Sequence, residues 1–146
     1  LYLAQTPLLD TLPALRASLP TPDLVTETGR GDVYATNVWL GYSSTINTPL
    51  HKDPNPNLFV QLAGRKRVRI FEPAAWGGER RFREEEEMMV GEGRRRVEEI
   101  VWGVGGIRGW EVEVGPGDAV FIPKEWWHAV KGVGEGVAGS VNWWFR

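Results

Sequence analysis

Residues 48–73 read TPLHKDPNPNLFVQLAGRKRVRIFEP. Two strand signals lie in this stretch, Asn57 to Leu62 (NLFVQL) and Lys66 to Phe71 (KRVRIF), and Ala63-Gly64 makes a tight break between them. The second run alternates. Lys66, Val68 and Ile70 fall on one face and Arg65, Arg67, Arg69 and Phe71 on the other, so the arginines share a solvated face while Lys66 points with the aliphatics. Upstream, the Pro and Asn residues of TPLHKDPNPN keep the backbone out of helix, so His51 and Asp53 are read in extended chain.

Working outward, the same β-branched and aromatic patterning recurs at Asp32 to Leu40 (DVYATNVWL), around Ile46 to His51, at Trp110 to Val114, Ala119 to Ile122, Trp126 to Lys131 and Val137 to Phe145. A Gly115-Pro116-Gly117-Asp118 turn and a glycine-rich turn before Val137 separate the later runs. About eight short strands with turns between them predict an all-β sandwich or jelly-roll barrel. The first two dozen residues carry Pro7, Pro13, Pro20 and Pro22, leaving room for a short helical turn around Leu12 to Ser18.

From Ala74 to Gly109 the composition shifts to blocks of like charge flanked by glycines, GGERRFREEEEMMVGEGRRRVEEIVWGVGG at 77–106. This predicts a charged insertion at 74–109, with a helix from about Glu79 to Val90, within a single domain spanning 1–146. The chain has 146 residues, 42% of them apolar, and eight tryptophans, enough for one buried core. Its net charge of -2 gives no global attraction to nucleic acid or anionic lipid. With no cysteine, neither a disulfide framework nor a thiolate metal site can form, which suits a reducing compartment. No apolar run approaches the roughly 18 residues of a membrane span. The first residue is Leu and already reads as structured, so the expectation is a domain cut from a longer protein.

The chain has two histidines, and both sit in strand signals. Residues i and i+2 of extended chain project from one side, so His51 and Asp53 present an imidazole and a carboxylate toward one point. A third ligand would have to come from His128, in PKEWWHAV. Two imidazoles and one carboxylate on one face of an octahedron leave three positions open, the arrangement of non-haem Fe(II) oxygenases. Taken singly, a His-X-Asp is also a chance pattern, and His128 is also readable as a hydrogen-bonded buried ring. Lys66 has two readings of its own: its stem packs and the ammonium snorkels to water, or an anion waits for it inside, because an unpaired buried charge costs several kcal/mol, on the order of that for any isolated ion.

TPLHKDPNPNLFVQLAGRKRVRIFEP, together with YLAQTPLLDTLPAL (2–15), NVWLG (37–41), VGPGDAVFIPKEWWHAVKG (114–132) and SVNWWF (140–145), resembles the JmjC-domain 2-oxoglutarate oxygenases. The likeness is to their small hydroxylase branch, which includes asparaginyl and arginyl hydroxylases, and it covers nearly the whole chain outside 74–109. The resemblance implies a double-stranded β-helix, the cupin-like jelly-roll, with short peripheral helices. It implies Fe(II) held by His51, Asp53 and His128, with 2-oxoglutarate and O2 as cosubstrates and the far carboxylate of 2-oxoglutarate on Lys66. Thr48 and Tyr2 would complete that carboxylate's hydrogen bonds, Asn57 would stand beside metal and cosubstrate, and Trp39, Asn142 and Trp144 would line the pocket, Trp144 on the substrate side.

The activity so implied is hydroxylation of a protein side chain, arginine the leading choice, in an intracellular protein of nucleus or cytoplasm. The demethylases of the family more often carry glutamate where Asp53 stands, which favours stable hydroxylation over N-methyl removal. Hydroxylation of a modified tRNA base and a non-catalytic cupin-like binding module are the remaining alternatives. The acidic balance disfavours nucleic acid. The partner is then a protein or peptide, with the run Glu84 to Glu87 suited either to a basic tail or simply to water.

Overall fold

A computed structural model of the chain describes residues 2–76, 91–103 and 107–146. Its strands are β1 (Tyr2–Thr6), β2 (Val33–Tyr42), β3 (Asn47–Lys52), β4 (Asn57–Ala63), β5 (Arg65–Phe71), β6 (Trp110–Val114), β7 (Ala119–Ile122), β8 (Trp127–Val133) and β9 (Val137–Phe145). Among the described residues they are accompanied by the helices α1 (Leu8–Thr11), α2 (Pro13–Ser18), α3 (Asp23–Thr28) and α4 (Gly91–Trp102). A large sheet runs β1-β2-β9-β4-β7 and a small one β3-β8-β5-β6. All the pairings are antiparallel.

From β2 to β9 each strand passes to the opposite sheet, except β5, which is followed by its neighbour β6. That double winding is the jelly-roll. Ala63-Gly64 is therefore a corner between sheets. Gly64 takes φ 62°, and a Cβ there would stand 2.6 Å from the Val137 carbonyl oxygen, so the corner requires glycine on both counts.

The inner faces meet in a core of Phe59, Val68, Ile70, Val114, Ile122 and Val130. Each such side chain contributes about 1.5–3 kcal/mol on burial. The outer face of the large sheet is covered by Leu9 of α1 and Val25 of α3, packed on Val38, Leu58, Val141, Trp143 and Phe145. On the small sheet's outer face, Val97 and Val101 of α4, one helical turn apart, pack on Leu50, Phe71 and Ala129. No described helix is long and apolar enough to cross a membrane.

The alternation read in β5 holds at its start: Arg65 and Arg67 pair with Glu113, and Arg69 with Glu111, on the exposed face of β6. Phe71 shares the arginines' side yet is only 2% exposed, because α4 covers that end of the sheet. The helix expected from Glu79 to Val90 lies outside the described residues; the helix described in the insertion is α4. The N-terminal turn appears as α2, but α1, α3 and β1 had no clear signal. In β1, Gln5 has φ 51° and the register shifts between Leu3 and Thr6, so five residues beside a proline show no alternation.

Candidate metal centre

His51 on β3 and His128 on β8 are Cα partners across the small sheet, which directs both imidazoles inward. Their ring centroids stand 4.1 Å apart. Asp53 lies just past the end of β3, and its carbonyl oxygen accepts the Glu125 backbone N–H at 2.9 Å, fixing it to the turn before β8. One Asp53 carboxylate oxygen is 3.9 Å from His51 Nε2 and the other 3.5 Å from His128 Nε2. One ligand atom from each of the three residues lies within 4.8 Å of the others. Three donors about 2.1 Å from one ion and at right angles would stand about 3 Å apart, a small side-chain adjustment away.

The surroundings orient these groups. His51 Nδ1 lies 2.8 Å from the Pro49 carbonyl and His128 Nδ1 3.2 Å from that of Trp126. Each ring thus donates Nδ1–H to the carbonyl two residues before it, leaving the Nε2 lone pair for a metal. Burial, and then the neighbouring His51, push the His128 pKa down to about 4, so its ring is neutral at pH 7. Asp53 Oδ2 accepts from Asn57 Nδ2 and from Trp144 Nε1, each at 3.0 Å.

At the far end of the same cleft lies Lys66, 1% exposed. Ile70, opposite His128, stands four residues along β5 from it, about 13 Å of strand. Lys66 Nζ is 2.6 Å from Ser140 Oγ and 5.4 Å from the centroid of Phe59. Burial pushes its pKa down to about 7, and no carboxylate among the described residues forms an ion pair with it. Tyr2 Oη and Thr48 Oγ1 are 3.3 Å apart, and burial raises the Tyr2 pKa. Trp39 Nε1 donates to Asn142 Oδ1 at 2.6 Å, while Asn142 Nδ2 and Asn57 Oδ1 are buried without a hydrogen-bond partner among the described residues.

All ten side chains named from sequence border this one cleft. Thr48 and His51 are three residues apart, a spacing that places side chains on opposite faces of a regular strand. A register shift in β3 between them turns both inward. Sequence reasoning did not single out Ser140, Phe59 or Ile122. For Ser140 the signal was present: Ser140, Asn142 and Trp144 are spaced by two along β9 and so share its inner face.

The cupin-like domain family matches residues 1–88 and 103–146, and the chain belongs to it. Jumonji C domain-containing protein 5 of Drosophila melanogaster is 29% identical over 99% of this chain and 36% of that protein. Lysine-specific demethylase JMJ30 of Arabidopsis thaliana is 29% identical over 98% of this chain and 33% of that protein. Lysine-specific demethylase 8 of Danio rerio is 31% identical over 99% of this chain and 36% of that protein. The chain thus spans about a third of the length of each of these relatives. Its residues fit the group such a fold implies. Two imidazoles whose Nε2 atoms face one carboxylate suit Fe(II), and a buried ammonium that meets no carboxylate among the described residues, with two amide atoms unpartnered there, suits a dicarboxylate such as 2-oxoglutarate.

Proposed function

We propose that this chain is the catalytic domain of an Fe(II)- and 2-oxoglutarate-dependent oxygenase that hydroxylates a protein side chain, with arginine the leading target. The observation that carries the reading is the two-ended cleft: a His-Asp-His cluster at one end and, at the other, a buried lysine that meets no carboxylate among the described residues. When bound, Fe(II) and 2-oxoglutarate supply the oxidation, in which O2 gives one atom to the succinate formed with loss of CO2 and one to a substrate C–H. The protein holds and shields these partners.

His51, Asp53 and His128 would hold the metal on one face, leaving its remaining positions toward the cleft. The Pro49 and Trp126 carbonyls keep both rings in the binding tautomer, and Asn57 and Trp144 hold the Asp53 carboxylate. Lys66 would receive the distal carboxylate of 2-oxoglutarate, aided by the hydroxyls of Thr48 and Tyr2. Asn57 Oδ1 and Asn142 Nδ2 are free to bond cosubstrate or a water beside it. Trp39 and Trp144 wall the cleft and exclude solvent from it. A nuclear or cytoplasmic setting belongs to the same proposal.

A second reading draws on relatives named lysine-specific demethylases. Hydroxylation of an N-methyl carbon gives a hemiaminal whose C–N bond breaks, releasing formaldehyde and the amine with one methyl fewer, and the same cleft would serve it. Mass spectrometry of basic peptides incubated with the protein, Fe(II), ascorbate and 2-oxoglutarate separates the two. A gain of one oxygen atom on an unmethylated peptide supports side-chain hydroxylation. Loss of a methyl group, with unmethylated peptides untouched, replaces it with demethylation.

A further inference from the structure

Helix α4 lies within residues 89–102, the stretch that the family match leaves out. It sits on the outer side of the strand that carries His51. Leu50, the residue before His51, points outward beneath Val97 and Val101. The helix is held at its C-terminal end by Arg69 Nη1 donating to the Val101 carbonyl. Trp102 adds to the grip, with Arg69 Cζ 5.3 Å and Lys131 Nζ 4.8 Å from its ring centroid.

One carboxylate on this helix does something more specific. Glu98 Oε1 accepts from Asn47 Nδ2 at 2.8 Å, and Glu98 Oε2 pairs with Lys131 Nζ at 2.7 Å. Asn47 and Lys131 are Cα partners on β3 and β8. A single side chain thus staples a cross-strand pair from outside. The staple falls where β3 needs it. β3 ends the small sheet and bonds only to β8 among the described strands, and its register with β8 shifts between Thr48 and His51. A shift of this kind breaks the ladder locally and leaves backbone groups unpaired. The ladder alone therefore holds this edge weakly just before His51.

We infer that Glu98 is a positioning residue: by pinning Asn47 to Lys131 it fixes the irregular edge strand β3 on β8 and so sets where His51 stands relative to His128. The inference rests on the metal reading of His51, Asp53 and His128. Glu98 touches neither metal nor substrate and acts through the strand.

The test uses the whole chain and two variants. Glu98→Ala removes both bonds; Glu98→Gln keeps an acceptor for Asn47 and loses the ion pair with Lys131. Co(II) affinity is read by titration, and amide hydrogen exchange is read on the metal-free protein. The expected result for Glu98→Ala is about 10-fold weaker Co(II) binding, no more than the smallest loss seen when a group bonded directly to a ligand is removed, because Glu98 acts on His51 through the strand. Glu98→Gln should fall between it and wild type. Exchange should quicken in β3 and stay as in wild type in β2 and β9. Unchanged Co(II) affinity, or exchange that quickens equally in every strand, overturns the inference. Should the wild type bind no Co(II), the metal reading fails by itself, and exchange in Glu98→Ala then decides the clamp: faster in β3 sustains it, unchanged in β3 removes it.

Discussion

Lys66 Nζ and Ser140 Oγ lie 2.6 Å apart in the buried interior, a cation facing a neutral hydroxyl. A hydroxyl offers one lone-pair partner and no charge, so the ammonium remains under-compensated and its pKa sits at about 7. An entering dicarboxylate would raise that pKa. At pH 8 most of the lysine is neutral when the cleft holds no anion, so 2-oxoglutarate binding should take up close to one proton. At pH 6 the lysine is already charged, and uptake should vanish. Calorimetry in buffers of different ionisation enthalpy measures this; proton uptake that does not depend on pH would dissociate Lys66 from the cosubstrate.

The same shift sets a stability window. The unfolded lysine titrates near its ordinary value of 10.5 and the folded one near 7, so between those values the unfolded chain binds the extra proton. Stability contributed at this position therefore rises as pH climbs from about 7 to about 10.5. Lys66→Met should flatten that part of the stability profile in denaturant titrations. A profile that keeps its slope in the variant assigns the effect elsewhere.

Metal and cosubstrate should separate by mutation. His51→Ala removes a metal ligand and is expected to abolish metal binding and turnover. Lys66→Ala leaves all three ligands and is expected to raise the 2-oxoglutarate KM by about 10- to 100-fold, the scale of a lost charge-assisted bond. Equal loss of metal from both variants contradicts the division of roles.

The Asp53 carboxylate depends on its two donors. Asn57→Ala and Trp144→Phe each delete one 3.0 Å hydrogen bond to Oδ2, the latter while keeping an aromatic ring. Each should weaken Co(II) binding by about 10-fold or more with little change in thermal midpoint. A large fall in midpoint with metal affinity intact would make these bonds structural only.

The corner at Gly64 should matter for folding and not for chemistry. Gly64→Ala forces a left-handed φ on alanine and a Cβ against the Val137 carbonyl. A loss of about 2 kcal/mol or more is expected in chemical denaturation, with cosubstrate affinity unchanged in the folded fraction.

Much of this was legible because β-strand chemistry repeats every two residues. The alternation in KRVRIF placed Lys66 inside, and the His-X-Asp spacing placed His51 and Asp53 on one side. Nothing local tied His128 to them. That link rests on the β3–β8 register, which only the fold supplies. The staple at Glu98 was invisible for the same reason: a glutamate in a charged helix reads as a solvated residue until Asn47 and Lys131 are seen beneath it. Phe71 escaped because its burial comes from α4, an element the alternation cannot foresee.

The central claim is that one cleft holds a redox metal and a 2-oxo acid together, and succinate release tests it most directly. Purified protein supplied with Fe(II), ascorbate and 2-oxoglutarate in air should release succinate even without a peptide, and His51→Ala should release none. If the wild type releases no succinate and fails to bind 2-oxoglutarate with Fe(II) under anaerobic conditions, the oxygenase account is wrong and the fold serves as a binding module.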